Sequence, residues 1–279
     1  MPIHDQGYRR FGGSRNGRGN AWLVIASSII RSMLQTKKFM VLLIVAWFPF
    51  LVRVGQVYFS ANFSQIAFLA PTASTFREFL DQQSSFVFVV TIYVGAGLIA
   101  NDRRANALQI YLAKPLTRAE YVAGKAAALM AFLMFITFVP GILLLLVQIL
   151  LAGSFAFVSK NLFLFPAITV YSILECTLAT FGMLALSSMS KSRRFVGIMF
   201  AGLILFTKAI QGMFWLLTRS SAGSLISPTA SLSRVGDTIF RVPPRYDTPI
   251  VASLLIVILL VVLSIVVLER RVRGVEVVA

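Results

Sequence analysis

Six hydrophobic runs alternate with polar, basic or turn-rich segments along the chain: Phe39–Tyr58, Ser85–Ala100, Lys125–Ala152, Asn161–Met189, Phe195–Leu217 and Pro249–Leu268. A helix rises 1.5 Å per residue, so about 20 apolar residues cross a hydrocarbon core of about 30 Å. Five of the runs reach that length. The second spans only about 24 Å by helix rise, so its helix is predicted to extend at one or both ends. Pro49 and Pro140-Gly141 are predicted kinks, because proline lacks the N–H that would bond four residues back. Gly95 and Gly97 allow close packing or bending in the second run. Residues 59–84, with Pro71, Arg77, Glu78 and Asp81, are predicted to lie outside the membrane. So are residues 218–248, with Pro228, Pro243 and Pro244.

The fold class that follows is an all-α polytopic membrane protein with six transmembrane helices. Ahead of the first run, residues 1–19 form a Gly- and Arg-rich segment with no apolar h-region, read as a flexible basic tail. Residues 20–38 alternate differently. Ser28, Arg31, Gln35 and Lys38 recur at helical spacing, and Trp22, Ile25, Ile29 and Met33 mark the opposite face. That pattern predicts an amphipathic helix lying in the membrane interface. Residues 39–268 are the six-span domain, and residues 269–279 a short basic tail.

Composition supports the spans, and charge orients them. Charged residues are only 13% of the 279, about half the share in soluble domains, and the mean hydropathy is +0.84. A net charge of +16 in a soluble protein would point to nucleic acid, but the basic residues are sorted by segment. Of 26 Lys and Arg, seven lie in residues 1–38, five in 101–125, three in 189–194 and three in 269–279. Six lie in the opposite set of segments. This positive-inside bias predicts both termini in the cytoplasm, with membrane lipids rather than nucleic acid as the partner of the charge.

The polar stretch Asn101–Lys125 is the most structured of the segments between runs. Leu108, Tyr111 and Leu112 share one helical face. Pro115 stops that helix and biases Lys114 away from helical geometry. Thr117-Arg-Ala-Glu120 reads as a capping box, with Leu116 and Tyr121 as its staple. Asp102, Arg103, Leu108, Leu112, the run Lys114-Pro115-Leu116-Thr117-Arg118, Glu120, Gly124 and Lys125 together resemble the loop after the second span of ABC-2-type ABC transporter permeases. That family usually has Glu at the position of Asp102, and often Gly-Thr at Asn106-Ala107. The resemblance implies a coupling helix over 101–115 that docks on a separate ABC ATP-binding subunit through Asp102, Arg103, Arg104, Leu108, Tyr111, Leu112, Lys114 and Pro115. It also implies an exporter working with a second permease copy or paralogue, with ATP and Mg bound by the partner ATPase and no cofactor in this chain. The interfacial N-terminal helix and short outer helices in 218–248 fit the same family plan.

Other chemistry is sparse in the sequence. It has no GxxxxGK[ST] loop, so no P-loop of its own. The single histidine, His4, excludes a Ser-His-Asp site in the spans and a multi-histidine metal site, and the single cysteine, Cys176, excludes an internal disulfide framework. The chain is therefore read as a transport subunit rather than an enzyme. An ion-coupled secondary transporter, a channel subunit and a non-transporting membrane scaffold are the alternatives. Ionisable residues within the runs bear on them: Glu175, Lys208 and, near one end, Arg53. Glu175 and Lys208 both lie roughly 20 Å from the turn at 190–194 by helix rise, and are expected to face the protein interior and to interact directly or through water.

Overall fold

The computed structural model describes residues 20–63, 71–106, 117–151 and 161–272. Among these the chain is helical, without strands. Six helical paths are long and apolar enough to cross a membrane: Lys37–Asn62, Ala73–Arg104, Arg118–Leu151, Leu164–Met189, Arg193–Thr218 and Ile250–Arg271.

The first helix, α1 (Ala21–Leu34), stops before the first path; Thr36 is extended and starts α2 (Lys37–Ala46). The single helix expected over 20–38 is thus two, and Lys38 belongs to the second. The two faces of α1 are as the spacing predicts. Trp22, Ile25, Ile29 and Met33 are half-buried, while Ser28 and Arg31 are exposed. The half-buried face lies on α6 (Arg118–Ile136). Gly124 permits the approach, since a Cβ there would stand 2.8 Å from the Trp22 carbonyl and from Ile25.

Two paths break near their prolines. The first is α2 followed by α3 (Phe48–Asn62), which carries Pro49 in its first turn. The third is α6 followed by α7 (Phe138–Leu151), broken at Thr137. Pro140 cannot donate to the carbonyl of Ile136 four residues back, and the Ala46 carbonyl lies at the end of α2, where carbonyls lack partners in their own helix. Gln83 serves both. Its Nε2 donates to Ile136 O at 2.7 Å and to Ala46 O at 3.2 Å, and the residue is fully buried.

Gln83 belongs to α4 (Ala73–Val90), which continues through a π-helical turn (Thr91–Gly95) into α5 (Ala100–Arg104). The second path therefore runs from 73 to 104. It extends at both ends beyond Ser85–Ala100, as its short apolar run predicts, and it takes Arg77, Glu78 and Asp81 of the segment 59–84 into α4. The charges are accommodated because Arg77 and Asp81, one turn apart, pair with each other. This is also the central helix. In its most apolar stretch 61% is buried, against 11% for Arg193–Thr218 and for Ile250–Arg271.

The remaining elements are α8 (Leu164–Met189), α9 (Arg193–Thr218), a 3-10 turn (Ser221–Ile226), α10 (Pro228–Ile239) and α11 (Ile250–Arg271). The buried core has two parts. One, around Phe39, Val90, Leu133 and Met183, lies toward the end of the bundle that carries 101–106. The other, around Phe79, Leu80, Ile168 and Phe240, lies toward the far end. By contrast α9 exposes Ile198, Leu205, Phe206 and Leu217, and α11 exposes Val251 and Leu259, as suits helices bathed in lipid.

A Gln83→Leu variant loses both side-chain bonds and leaves two buried carbonyls without donors. Bonds of this kind contribute about 0.6–1.7 kcal/mol each in membrane proteins, so the pair amounts to roughly 1–3 kcal/mol. The variant is expected to unfold at a measurably lower temperature in detergent. An unchanged midpoint would show that the two helix breaks do not depend on Gln83.

Candidate functional site

Three polar regions sit on the second path, one at each end and one in the middle. The first is the base of the polar loop. Asp102 Oδ2 accepts from Tyr121 Oη at 2.7 Å and pairs with Lys125 Nζ at 2.8 Å. Arg103 donates to the Ser188 carbonyl at the end of α8. Ser187 Oγ accepts from the amides of Ile99 and Ala100, at 3.1 and 3.0 Å, and donates to Ala96 O at 3.0 Å. These bonds tie the end of the second path to α6 and α8. Asp102 and Arg103 are thus engaged within the chain, while Arg104 is exposed. Asn106 has φ 52°, the left-handed region that glycine and asparagine tolerate best, so asparagine suits this position as glycine does. The capping box is formed as the sequence predicts. Glu120 N donates to Thr117 Oγ1 at 3.2 Å and Thr117 N to Glu120 Oε2 at 2.9 Å. Leu108, Tyr111, Leu112, Lys114, Pro115 and Leu116 lie outside the described residues.

The second region, at the far end, was not predicted from the sequence. Arg77, 1% exposed, donates from Nε to Asp237 Oδ1 at 3.1 Å and from Nη2 to the Ser233 carbonyl at 3.2 Å. It also pairs with Asp81, lies with its guanidinium 4.5 Å from the Tyr171 ring centre, and shares both acids with Arg245. Two arginines and two aspartates thereby neutralise one another and fasten α10 to α4. Gly236 is required at the contact, since a Cβ there would stand 2.5 Å from the Tyr171 ring and 2.8 Å from Arg77 Nε. The signal available was the i, i+4 spacing of Arg77 and Asp81; Asp237, 160 residues away, carried none. Nearby, Arg53 Nη2 meets Glu78 Oε2 at 3.3 Å, and its Nη1 donates to Gln56.

Between these ends a cavity of about 970 Å³ opens among α4, α8, α9, α10 and α11. Glu175 and Lys208 both line it. Glu175 is 5% exposed. Its Oε1 accepts from Ser84 Oγ, and its Oε2 has no hydrogen-bond partner among the described residues. Lys208 is exposed to the cavity and makes no ion pair among the described residues. Of the two forms of interaction expected, the direct ion pair is not made among the described residues. They share one cavity without an ion pair between them: α9 buries only Val196, Gly197 and Phe200, all near its start, and its middle lines the cavity.

Six apolar helices around a partly polar interior are the makings of a multi-pass membrane protein. No protein-family model matches the chain, and no curated protein matches it.

Removing one partner of a buried ion pair strands the other, at a cost of about 3–5 kcal/mol. Arg77→Met is accordingly expected to lower the yield of monodisperse protein in detergent sharply. The paired replacement Arg77→Met with Asp237→Leu is expected to recover part of it. Equal behaviour of Arg77→Met and the unaltered chain would mean that α10 is held by packing alone.

Proposed function

We propose that the chain is the membrane-spanning permease subunit of an ABC-2-type transporter, an exporter in a bacterial cytoplasmic membrane. A separate ABC ATP-binding subunit docks on the coupling helix over 101–115 and binds the ATP and Mg. A second permease, identical or paralogous, completes the transmembrane unit. The observation that carries this reading is the anchoring of the polar loop. Asp102–Lys125 and Arg103–Ser188 brace the end of the second path against α6 and α8, so a push on the loop moves a helix whose middle bears Ser84 and the cavity. A loop that merely joined two spans would not need such a base. In this reading α1 is the interfacial helix, and both termini face the cytoplasm.

The buried carboxylate of Glu175 on the cavity favours a second reading, an ion-coupled transporter. Copurification separates the two, because only the first requires an ATP-binding subunit. With that subunit bound, Leu108→Asp is expected to abolish transport-linked stimulation of ATP hydrolysis, and Arg104→Glu to weaken it severalfold. Both variants should retain wild-type thermal stability. Full stimulation in a well-folded Leu108→Asp protein would rule out docking at this loop.

Orientation has its own test. On a Cys176→Ser background, Ser192→Cys and Ser220→Cys place thiols at exposed positions at opposite ends of α9. Ser220→Cys is expected to react with an impermeant maleimide added to intact cells, and Ser192→Cys only after lysis. The reverse pattern would invert the topology.

A further inference from the structure

We propose that the cavity takes a zwitterionic amphiphile, its cationic group on Glu175 Oε2, its anionic group on Lys208 Nζ, and its tail along the apolar part of the cavity. Calling that molecule the substrate rests on the export reading; the binding itself does not.

Charge bookkeeping is the first support. Among the described residues, Asp81, Glu175, Lys208 and Arg245 line the cavity, and Arg77 and Asp237 join two of them from behind. Arg77, Arg245, Asp81 and Asp237 are consumed in ion pairs with one another. What is left among the described residues is one carboxylate and one ammonium, on facing helices, not in contact. The Glu175 carboxylate is also nine-tenths buried, and only one of its oxygens is partnered. A buried carboxyl oxygen without a partner is costly, and a ligand cation supplies what is missing. A purely anionic ligand would meet Lys208 but be repelled by Glu175, and a purely cationic one the reverse. A molecule carrying both signs satisfies both residues.

Size and lining supply the rest. About 970 Å³ is far more than a pair of ions needs and lies at the upper end for organic ligands. Away from Glu175 and Lys208, the wall toward the 101–106 end is apolar, with Phe200, Ile204, Leu263 and Val267 among its residues. A polar end with one charge of each sign, continuous with an apolar trough, is the negative image of a zwitterionic headgroup on a hydrocarbon chain.

The test is binding to the purified full chain in dodecyl maltoside, read by native mass spectrometry. Lysophosphatidylethanolamine is the zwitterionic probe, lysophosphatidylglycerol the anionic control and dodecyltrimethylammonium the cationic one. The zwitterionic probe is expected to bind at least tenfold tighter than either control. Glu175→Gln should weaken it at least fivefold and leave the anionic probe no weaker. Lys208→Met, at a position exposed to the cavity and so tolerant of change, should weaken the zwitterionic and anionic probes and spare the cationic one. Equal affinity for the zwitterionic and anionic probes overturns the proposal, as does an unaffected Glu175→Gln variant that folds normally. Competition by diacyl phosphatidylethanolamine would identify the bilayer as the source of the ligand, and its absence a free single-chain amphiphile; either accords with the site. No ATPase takes part, so failure here leaves the export reading standing. Absence of a copurifying ATP-binding subunit would likewise leave a positive binding result standing.

Discussion

The bundle turns on one side-chain amide. Proline breaks two of the membrane helices, and each break leaves a carbonyl in surroundings where water cannot reach it. Both carbonyls, Ala46 O and Ile136 O, are met by Gln83 Nε2 from the helix between them. Leaving both unmet costs roughly 1–3 kcal/mol, so the bends in the first and third paths, and the placement of the second between them, are one linked arrangement. Displacing α4 would expose both breaks.

The same helix carries polar contacts at other levels. Toward the far end Arg77 locks α10 through Asp237; one residue beyond Gln83, Ser84 holds the Glu175 carboxylate; at the other end Asp102 and Arg103 grip α6 and α8. Between the last two lies the π-helical turn Thr91–Gly95, a type of irregularity that recurs at functional sites. Gly95 keeps that turn tight against α8, since a Cβ there would stand 2.5 Å from Met183. Under the proposed function, this path is the rod between the ATPase-docking loop and the cavity.

The spans were legible because a run of about 20 apolar residues suits a bilayer crossing and little else. Pro49, Pro140 and the Thr117–Glu120 box announced their own local geometry. The face of α1 was legible from its periodicity, and the common depth of Glu175 and Lys208 from counting residues along two helices joined by a short turn. What stayed hidden was pairing over distance. Arg77, Glu78 and Asp81 fall in a polar segment ahead of the second apolar run, and Asp237, which pairs with Arg77, lies in another polar segment 160 residues on. Gln83 looked incidental because its two acceptors are backbone atoms, which the sequence does not distinguish. Whether Glu175 and Lys208 form an ion pair depends on how α9 packs, and no local pattern encodes that.

Under the proposed function, the cavity and the loop at 101–115 communicate through the helix Ala73–Arg104. This is tested most directly by ATP hydrolysis in the reconstituted complex with its ATP-binding subunit, titrated with lysophosphatidylethanolamine. Severalfold stimulation that saturates with the amphiphile is predicted, and none in a Glu175→Gln complex of equal stability. Hydrolysis indifferent to the amphiphile, or stimulated equally with and without the Glu175 carboxylate, would contradict such coupling.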